Sequence, residues 1–241
     1  METIILVGGL GTRLRPVVSD VPKPLASVQG RPFLEWLMSY CVAHGSSRFI
    51  LGIGYMADSI ISRFGDSFQG VPVSYSREKE QLGTGGATRR AIGMVSGNYP
   101  VRVMNGDSFF SIDHLEMLRF HENCRSDCTI ALFPAHRQGS FGRVLLRERD
   151  RIVGFDEATA ALGEWANAGV YIFSPDLLRR MDSFGDHFSL EKQAFPALIK
   201  DGCRLTAYMN AVEIFIDIGT PEDYHLAQGI EFDNVFNALE I

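Results

Sequence analysis

Ile4-Ile5-Leu6-Val7-Gly8-Gly9-Leu10-Gly11-Thr12-Arg13-Leu14-Arg15-Pro16 decides how this chain is read, and Val21-Pro22-Lys23-Pro24-Leu25 follows it closely. The apolar run, with two isoleucines and a valine, has the pattern of a strand buried on both faces, and the glycines after it release the backbone into a loop. Gly8, Gly9 and Gly11 remove the Cβ atoms that would hold a polyphosphate away from main-chain N–H groups, the anion donors of such nests. Arg13, Arg15 and Lys23 bring three cations close by. Two well-known motifs are excluded, because a dinucleotide fingerprint needs a glycine where Leu14 stands and a P-loop ends in Gly-Lys-Ser/Thr. On the glycines alone, a tight turn with solvated arginines fits as well as a phosphate loop.

Taken whole, Gly-Gly-Leu-Gly-Thr-Arg-Leu-Arg-Pro with Pro-Lys-Pro-Leu resembles the signature of the sugar nucleotidyltransferases, the nucleoside-diphosphate-sugar pyrophosphorylases. The resemblance implies a Rossmann-like three-layer αβα sandwich with a mostly parallel mixed sheet. It also implies that Leu6, Gly8, Gly9, Gly11, Thr12 and Arg13 hold a nucleoside triphosphate, and that Lys23 binds the reacting phosphates.

The 241 residues suffice for one large α/β domain, expected over 1–228 with a C-terminal tail over 229–241. A hydrophobic content of 46% with 22% charged residues is ordinary for a globular protein, and a net charge of −6 argues against a nucleic-acid surface. No apolar run reaches the roughly 18 residues of a membrane span, and Met1-Glu2-Thr3 lacks the basic region of a secretory signal. A cytoplasmic protein with no membrane partner is expected. Cys41, Cys124, Cys128 and Cys203 are too few and scattered for a disulfide framework, and Cys124 and Cys128 have no second pair at zinc spacing. Reduced thiols are expected.

Along the chain, apolar residues from Phe33 to Cys41 recur at helical spacing after Pro32 and stop at Gly45. Residues 48–53 form a second buried strand, 57–64 a helix and 71–75 a third strand, an alternation that predicts βαβ units with a parallel sheet. Glu80 to Ala87 is a second glycine-rich loop leading into a helix through Ala91 and Ile92. Val101 to Met104 is a strand, and Asn105-Gly106-Asp107 follows at its carboxyl end, where open α/β sheets place ligands. A carboxylate there is either a helix cap or a ligand for a hard cation; Ser111 and Asp113 are the better caps for the next helix. Later strands span 129–133, 143–146, 152–155, 168–173, 205–208 and 213–218. Ser189 caps a helix to Ile199 whose Glu191 and Lys192 are read as solvated charges. Asp217 lies among apolar residues, so it needs a partner or a metal.

The later motifs are similar to those of the same family. Leu82-Gly83-Thr84-Gly85-Gly86-Ala87 looks like its nucleobase segment, which makes Gln81, Gly83 and Gly86 base-site candidates. Asn-Gly-Asp and Ile-Asp-Ile-Gly-Thr-Pro-Glu-Asp-Tyr imply that Asp107 and Asp217 hold Mg2+. Asn167-Ala168-Gly169 resembles its Asn-x-Gly sugar contact, and Glu157 falls where a sugar-contacting glutamate stands. The family often follows that glutamate with lysine; here Ala158 follows, so another cation, Arg143 next to Gly142, or Lys192, is expected to hold the sugar phosphate.

The resemblance implies an enzyme in which Arg13, Lys23, Asp107 and Asp217 transfer a nucleotidyl group to a sugar 1-phosphate. Leu-Val-Gly-Gly-x-Gly-Thr-Arg-Leu-Arg-Pro is similar to guanylyltransferases of the mannose 1-phosphate type, and the compact composite is most similar to bacterial guanylyltransferases of D-glycero-α-D-manno-heptose 1-phosphate. GTP and that sugar phosphate are the expected substrates. Mannose 1-phosphate, a UTP or dTTP donor, or a silent regulatory homologue are the alternatives, and a homodimer is the expected assembly.

Overall fold

The computed structural model describes residues 1–136, 141–148, 150–210 and 214–237, and only the backbone of residues 157, 158 and 237. In chain order the strands are β1 Glu2–Leu6, β2 Ser27–Val28, β3 Arg31–Pro32, β4 Arg48–Ile53, β5 Ser67–Phe68, β6 Val71–Arg77, β7 Val101–Asn105, β8 Ser108–Phe110, β9 Cys128–Pro134, β10 Gly142–Arg147, β11 Arg151–Thr159, β12 Trp165–Phe173, β13 Leu205–Met209 and β14 Phe215–Asp217. The helices are α1 Phe33–Ala43, α2 Ala57–Phe64, α3 Gly83–Ile92, α4 His114–Cys124, α5 Pro175–Arg180, α6 Phe195–Lys200, α7 Pro221–Ala227 and α8 Phe232–Asn237.

The central sheet runs β10-β11-β13-β9-β12-β7-β1-β4-β6-β5. Strands β7, β1, β4 and β6 are mutually parallel, with Ile4 opposite both Ile50 and Val103. β12 enters antiparallel between β7 and β9, which makes the sheet mixed. Successive side chains of a strand face opposite ways, so β1 sends Ile5 to one core and Ile4 to another. The first core packs α1, α2 and α8 on one face, and the second packs α3, α5 and α6 on the other. Three layers result, as expected. Leu6 pairs with Asn105 and Gly52, so the carboxyl ends of β1, β4 and β7 open side by side. Chain segments leaving those ends can therefore share one site.

Two expected elements differ in kind, and the strand expected over 213–218 is β14, with residue 213 outside the described residues. The segment read as a glycine loop to residue 87 is already helical from Gly83. There Gly85 and Gly86 donate their N–H groups to Phe188 O at 2.9 and 3.2 Å. A Cβ on Gly85 would lie 2.2 Å from the Phe188 ring, and one on Gly86 would lie 2.0 Å from Asp186 O, so these glycines serve close packing. The helix expected over 189–199 is split into a π-helical turn, Leu190–Ala194, and α6. Pro196 sits in the first turn of α6, and its ring opposes an ordinary helical carbonyl four residues back; the wider turn accommodates it.

The stretch after residue 228 contains α8, and Phe232 is buried, stacked on Trp36 with ring centroids 4.9 Å apart. Residues 238–241 lie outside the described residues. The four cysteines are free thiols. No helix among the described residues is long and apolar enough to cross a membrane.

Candidate active site

The loop after β1 is shaped by what lies under it. A Cβ on Gly54, which follows β4, would come within 2.9 Å of Gly8 O, so two glycines meet back to back. Gly11 has φ +60° and a Cβ there would lie 3.0 Å from Lys23 Cβ, whereas Gly9 faces open space. Loop backbone is thus exposed on one side and pressed against the lysine on the other.

Lys23 stands in a single 3-10 turn, Lys23–Leu25, entered through Pro22. Its Nζ donates to Asp107 Oδ2 at 2.7 Å and lies 3.9 Å from Asp217 Oδ1, with 9% of the side chain exposed. Asp107 is delivered by Gly106, whose N–H donates to Leu6 O at 2.9 Å and whose Cβ, if present, would lie 2.2 Å from Val7 Cγ1. Only glycine allows that approach. Asp217 arrives on β14, paired antiparallel with β8 opposite Ser108. Ser108 Oγ donates to Asp217 Oδ2 at 3.0 Å, and Ile218 N–H donates to Asp107 O at 2.9 Å.

Burial first, and then the charge of Asp107, push the Asp217 carboxyl above its usual range, while Lys23 and the donors from Ser108 and Gly219 oppose the shift. Arg13 completes the group: a Cβ on Gly219 would lie 2.4 Å from Asp217 Oδ1, 3.2 Å from Arg13 Nη2 and 3.3 Å from Lys23 Nζ. Arg13, Lys23 and Asp217, which span more than 200 residues of chain, meet around one glycine, and Asp107 joins them through Lys23.

Two close carboxylates, one with its ionised form disfavoured by the other, constitute an oxygen donor set that suits a hard divalent cation. The Ser108 hydroxyl lies beside them, and phosphate oxygens would complete such a sphere. The residues present therefore fit Mg2+. No group of three or more His, Cys, Asp or Glu ligands occurs among the described residues, so a metal here depends on substrate oxygens.

A cavity of about 480 Å³ adjoins Asp107. Of the residues expected at a nucleotide, Leu6, Gly8, Gly9, Gln81, Gly83 and Asp107 line it. Gly11 lies beyond it beside Lys23, Thr12 and Arg13 are exposed, and Gly86 packs on Asp186 away from it. Thr84, Ala87 and Asn105, from the motifs quoted above, also line the cavity, as does Glu78, which sequence reasoning did not single out. Burial raises the Glu78 carboxyl, whose Oε2 accepts from Leu82 N–H at 3.4 Å. Its position at the end of β6, mirroring Asn105 at the end of β7, is the signal that could have found it.

On the other side, Asn167 Oδ1 accepts from Gly169 N–H at 2.9 Å, and Gly169, at φ +72°, lets β12 approach Asn105. Arg143 on β10 pairs with Asp156 and, at 3.1 Å, with Glu164; its charge is engaged by two carboxylates. Gly142 begins the same strand, and Lys192 is exposed on the π-helical turn. Neither Arg143 nor Lys192 joins the cluster around Lys23. Glu157 lies on β11, and its side chain is outside the described residues. Glu191, expected to be solvated, instead accepts hydrogen bonds from Thr84, Ser189 and Tyr171, because the π-helical turn directs it inward.

The family model described as nucleotidyl transferase matches residues 2–231. The D-glycero-alpha-D-manno-heptose 1-phosphate guanylyltransferase of Aneurinibacillus thermoaerophilus is 37% identical over 229 residues, covering 95% of this chain and 97% of that protein. The mannose-1-phosphate guanylyltransferase of Mycobacterium tuberculosis is also 37% identical, covering 93% of this chain but 62% of that protein. The crystal structure of HddC from Yersinia pseudotuberculosis complexed with GMP-PN superposes with a TM-score of 0.81 at 32% identity, covering 94% of this chain and 97% of that one.

Proposed function

The chain belongs to the nucleotidyl transferase family, and from that premise we propose that it transfers the guanylyl group of GTP to a heptose 1-phosphate, giving a GDP-sugar and pyrophosphate. The observation that carries this reading is the convergence of Arg13, Lys23, Asp107 and Asp217 at the mouth of the cavity lined by Gly8, Gly9 and Gln81.

A phosphate oxygen of the sugar 1-phosphate attacks the α-phosphorus of GTP opposite to pyrophosphate, which leaves with the electrons of the broken P–O bond. The nucleophile is already an anion, so no general base is needed and the barrier is dominated by charge repulsion and alignment. Lys23 holds the attacking phosphate and the α-phosphate together. Arg13, exposed on the loop, neutralises the triphosphate. Main chain at Gly9, which is exposed, and at the half-buried Gly8 lets the phosphates lie against N–H groups. Asp107 and Asp217 would hold Mg2+, which supplies neutralisation of charge on the phosphates.

The base and sugar walls separate the candidates. Identity is equal for the heptose and mannose relatives, but the chain spans 97% of the former's length and 62% of the latter's, which favours the heptose substrate. Both substrates are charged metabolites, which fits a cytoplasmic setting. Pyrophosphate release should be measured with GTP, ATP, CTP, UTP and dTTP against heptose, mannose and glucose 1-phosphates. Turnover with GTP and heptose 1-phosphate at least tenfold above every other pair is expected. A preference for mannose 1-phosphate or for a pyrimidine donor would overturn the substrate assignment, and no turnover with any pair would overturn the enzyme reading.

A further inference from the structure

Glu191 is not among the residues proposed to hold phosphate, yet its carboxylate ties Thr84 of the cavity lining to Tyr171 on β12. Oε2 accepts from Thr84 Oγ1 at 2.9 Å and from Ser189 Oγ at 2.7 Å. Oε1 accepts from Tyr171 OH at 2.9 Å. Thr84 lines the cavity and is itself fixed by Leu190 N–H, which donates to its hydroxyl at 2.9 Å. Tyr171, fully buried in β12, accepts in turn from Asn167 Nδ2 at 2.9 Å, and Asn167 Oδ1 holds the Gly169 N–H at 2.9 Å. One chain of hydrogen bonds therefore runs from the cavity lining to Asn167, whose motif resembles the family's sugar contact.

Charge makes this arrangement specific. The Asn167 amide and the Tyr171 hydroxyl can each be oriented in two ways, and an acceptor-only carboxylate at the end of the line selects one. With Glu191 accepting, Tyr171 must donate to it and hence accept from Asn167 Nδ2. The Asn167 carbonyl oxygen is then left to bind Gly169. The π-helical turn Leu190–Ala194 aims Glu191 inward, and Ser189 caps that turn by accepting from Lys192 N–H at 3.2 Å. Such turns are rare and recur at functional sites.

We propose that Glu191 is a positioning residue that sets Thr84 on the nucleotide wall with one oxygen and, through Tyr171, sets Asn167 on the sugar wall with the other. The proposal rests on the guanylyltransferase reading for which substrate meets which wall, but its hydrogen-bond line exists whether or not that reading holds.

The test combines kinetics with amide exchange on the full chain. Tyr171→Phe should raise the KM for sugar 1-phosphate about tenfold, the scale of one hydrogen bond to a charged group, with the KM for GTP within twofold of wild type. Thr84→Val should do the reverse. Glu191→Ala should raise both, and adding Tyr171→Phe to it should cost nothing more, because the same line is already cut. Independently of turnover, Glu191→Ala and Tyr171→Phe should each speed exchange of the Gly169 N–H at least tenfold while the β12 amides from Val170 to Phe173 keep their protection. Equal effects of Tyr171→Phe on both KM values, additive losses, or unchanged exchange at Gly169 would overturn the proposal. Should Glu191→Ala fail to fold, Tyr171→Phe and Thr84→Val still decide it through their opposite KM effects and the Gly169 amide. Absence of turnover in wild type refutes the substrate reading alone, and the exchange result then decides the proposal.

Discussion

At the scale of single residues, Lys23 shows how little room the cluster leaves. Its ammonium lies 2.7 Å from Asp107 and 3.9 Å from Asp217, and 9% of its side chain is exposed. Lys23→Met retains the apolar stem and deletes the charge, so two carboxylates then face the incoming phosphates with Arg13 as the nearby cation. Turnover is expected to fall by about 10²–10³, the usual loss for one preorganised electrostatic group, with nucleotide binding changed far less. Single-turnover pyrophosphate release compared with calorimetric binding of a GTP analogue checks this, and wild-type turnover would refute it. Gly219→Ala probes the same cluster by volume alone. Its Cβ would sit 2.4 Å from Asp217 Oδ1 and 3.3 Å from Lys23 Nζ, both ends of side chains that can swing aside. Turnover should fall at least tenfold while the urea midpoint stays within experimental error of wild type. A midpoint that falls in step with activity would mean that the glycine serves folding. Asp107, Asp217 and Lys23 were singled out in the sequence by the motifs that resemble the family's, and the structure brings their side chains together. Glu191 was not: its partners Thr84 and Tyr171 are 107 and 20 residues away, and nothing local distinguishes it from a solvated charge.

At the scale of elements, the sequence reading was most accurate for long apolar runs bounded by turn residues, and it missed the short buried strand β8. The runs 48–53 and 57–64 are β4 and α2 to the residue, since an apolar run flanked by turn residues admits few registers. Asp113 caps α4 as expected, accepting from Leu115 N–H at 2.8 Å and Glu116 N–H at 3.0 Å. Accuracy failed at Gly83–Ala87, where glycine propensity says loop and tertiary packing imposes helix. A distant strap, residues 186–188, lies on those glycines, and no short-range signal announces it. The consequence inverts a standard substitution. Alanine in place of a helical glycine ordinarily stabilises by about 1 kcal/mol. At Gly85 the new methyl would meet the Phe188 ring at 2.2 Å, and at Gly86 it would meet the Asp186 carbonyl oxygen at 2.0 Å. Overpacking of that kind costs about 1–3 kcal/mol, so both variants should be destabilised, Gly86→Ala more because backbone yields less than a ring. Urea midpoints test the order; a midpoint above wild type for Gly86→Ala would show that the strap is not seated on α3.

At the scale of the whole molecule, the polar groups sealed inside the sheet set how the protein answers acid. Arg102, on the central strand β7, is fully buried, donating to Ser46 Oγ at 2.8 Å and to His114 Nδ1. His114 is therefore an acceptor at Nδ1 and must stay neutral. Burial, then Arg102, then His44 hold its pKa well below the usual imidazole value. Burial likewise lowers His44, and it pushes His121 down to about 4 beneath its contact with Thr129 Oγ1 at 2.9 Å. In the unfolded chain these imidazoles titrate near 6.5, so between about pH 6.5 and 4 the unfolded state binds protons that the fold refuses. Stability is complete above the unfolded value and falls as pH drops through that window. His121 alone accounts for about 3 kcal/mol of the loss, from its shift at 1.36 kcal/mol per unit. Urea unfolding at pH 7.5 and pH 5 should show a lower midpoint at pH 5. His121→Gln, which keeps an acceptor and a donor for Thr129 but cannot take a proton, should reduce the pH slope of stability by about one proton. An unchanged slope in His121→Gln would place the acid sensitivity elsewhere, at the buried His44 and His114 beside Arg102.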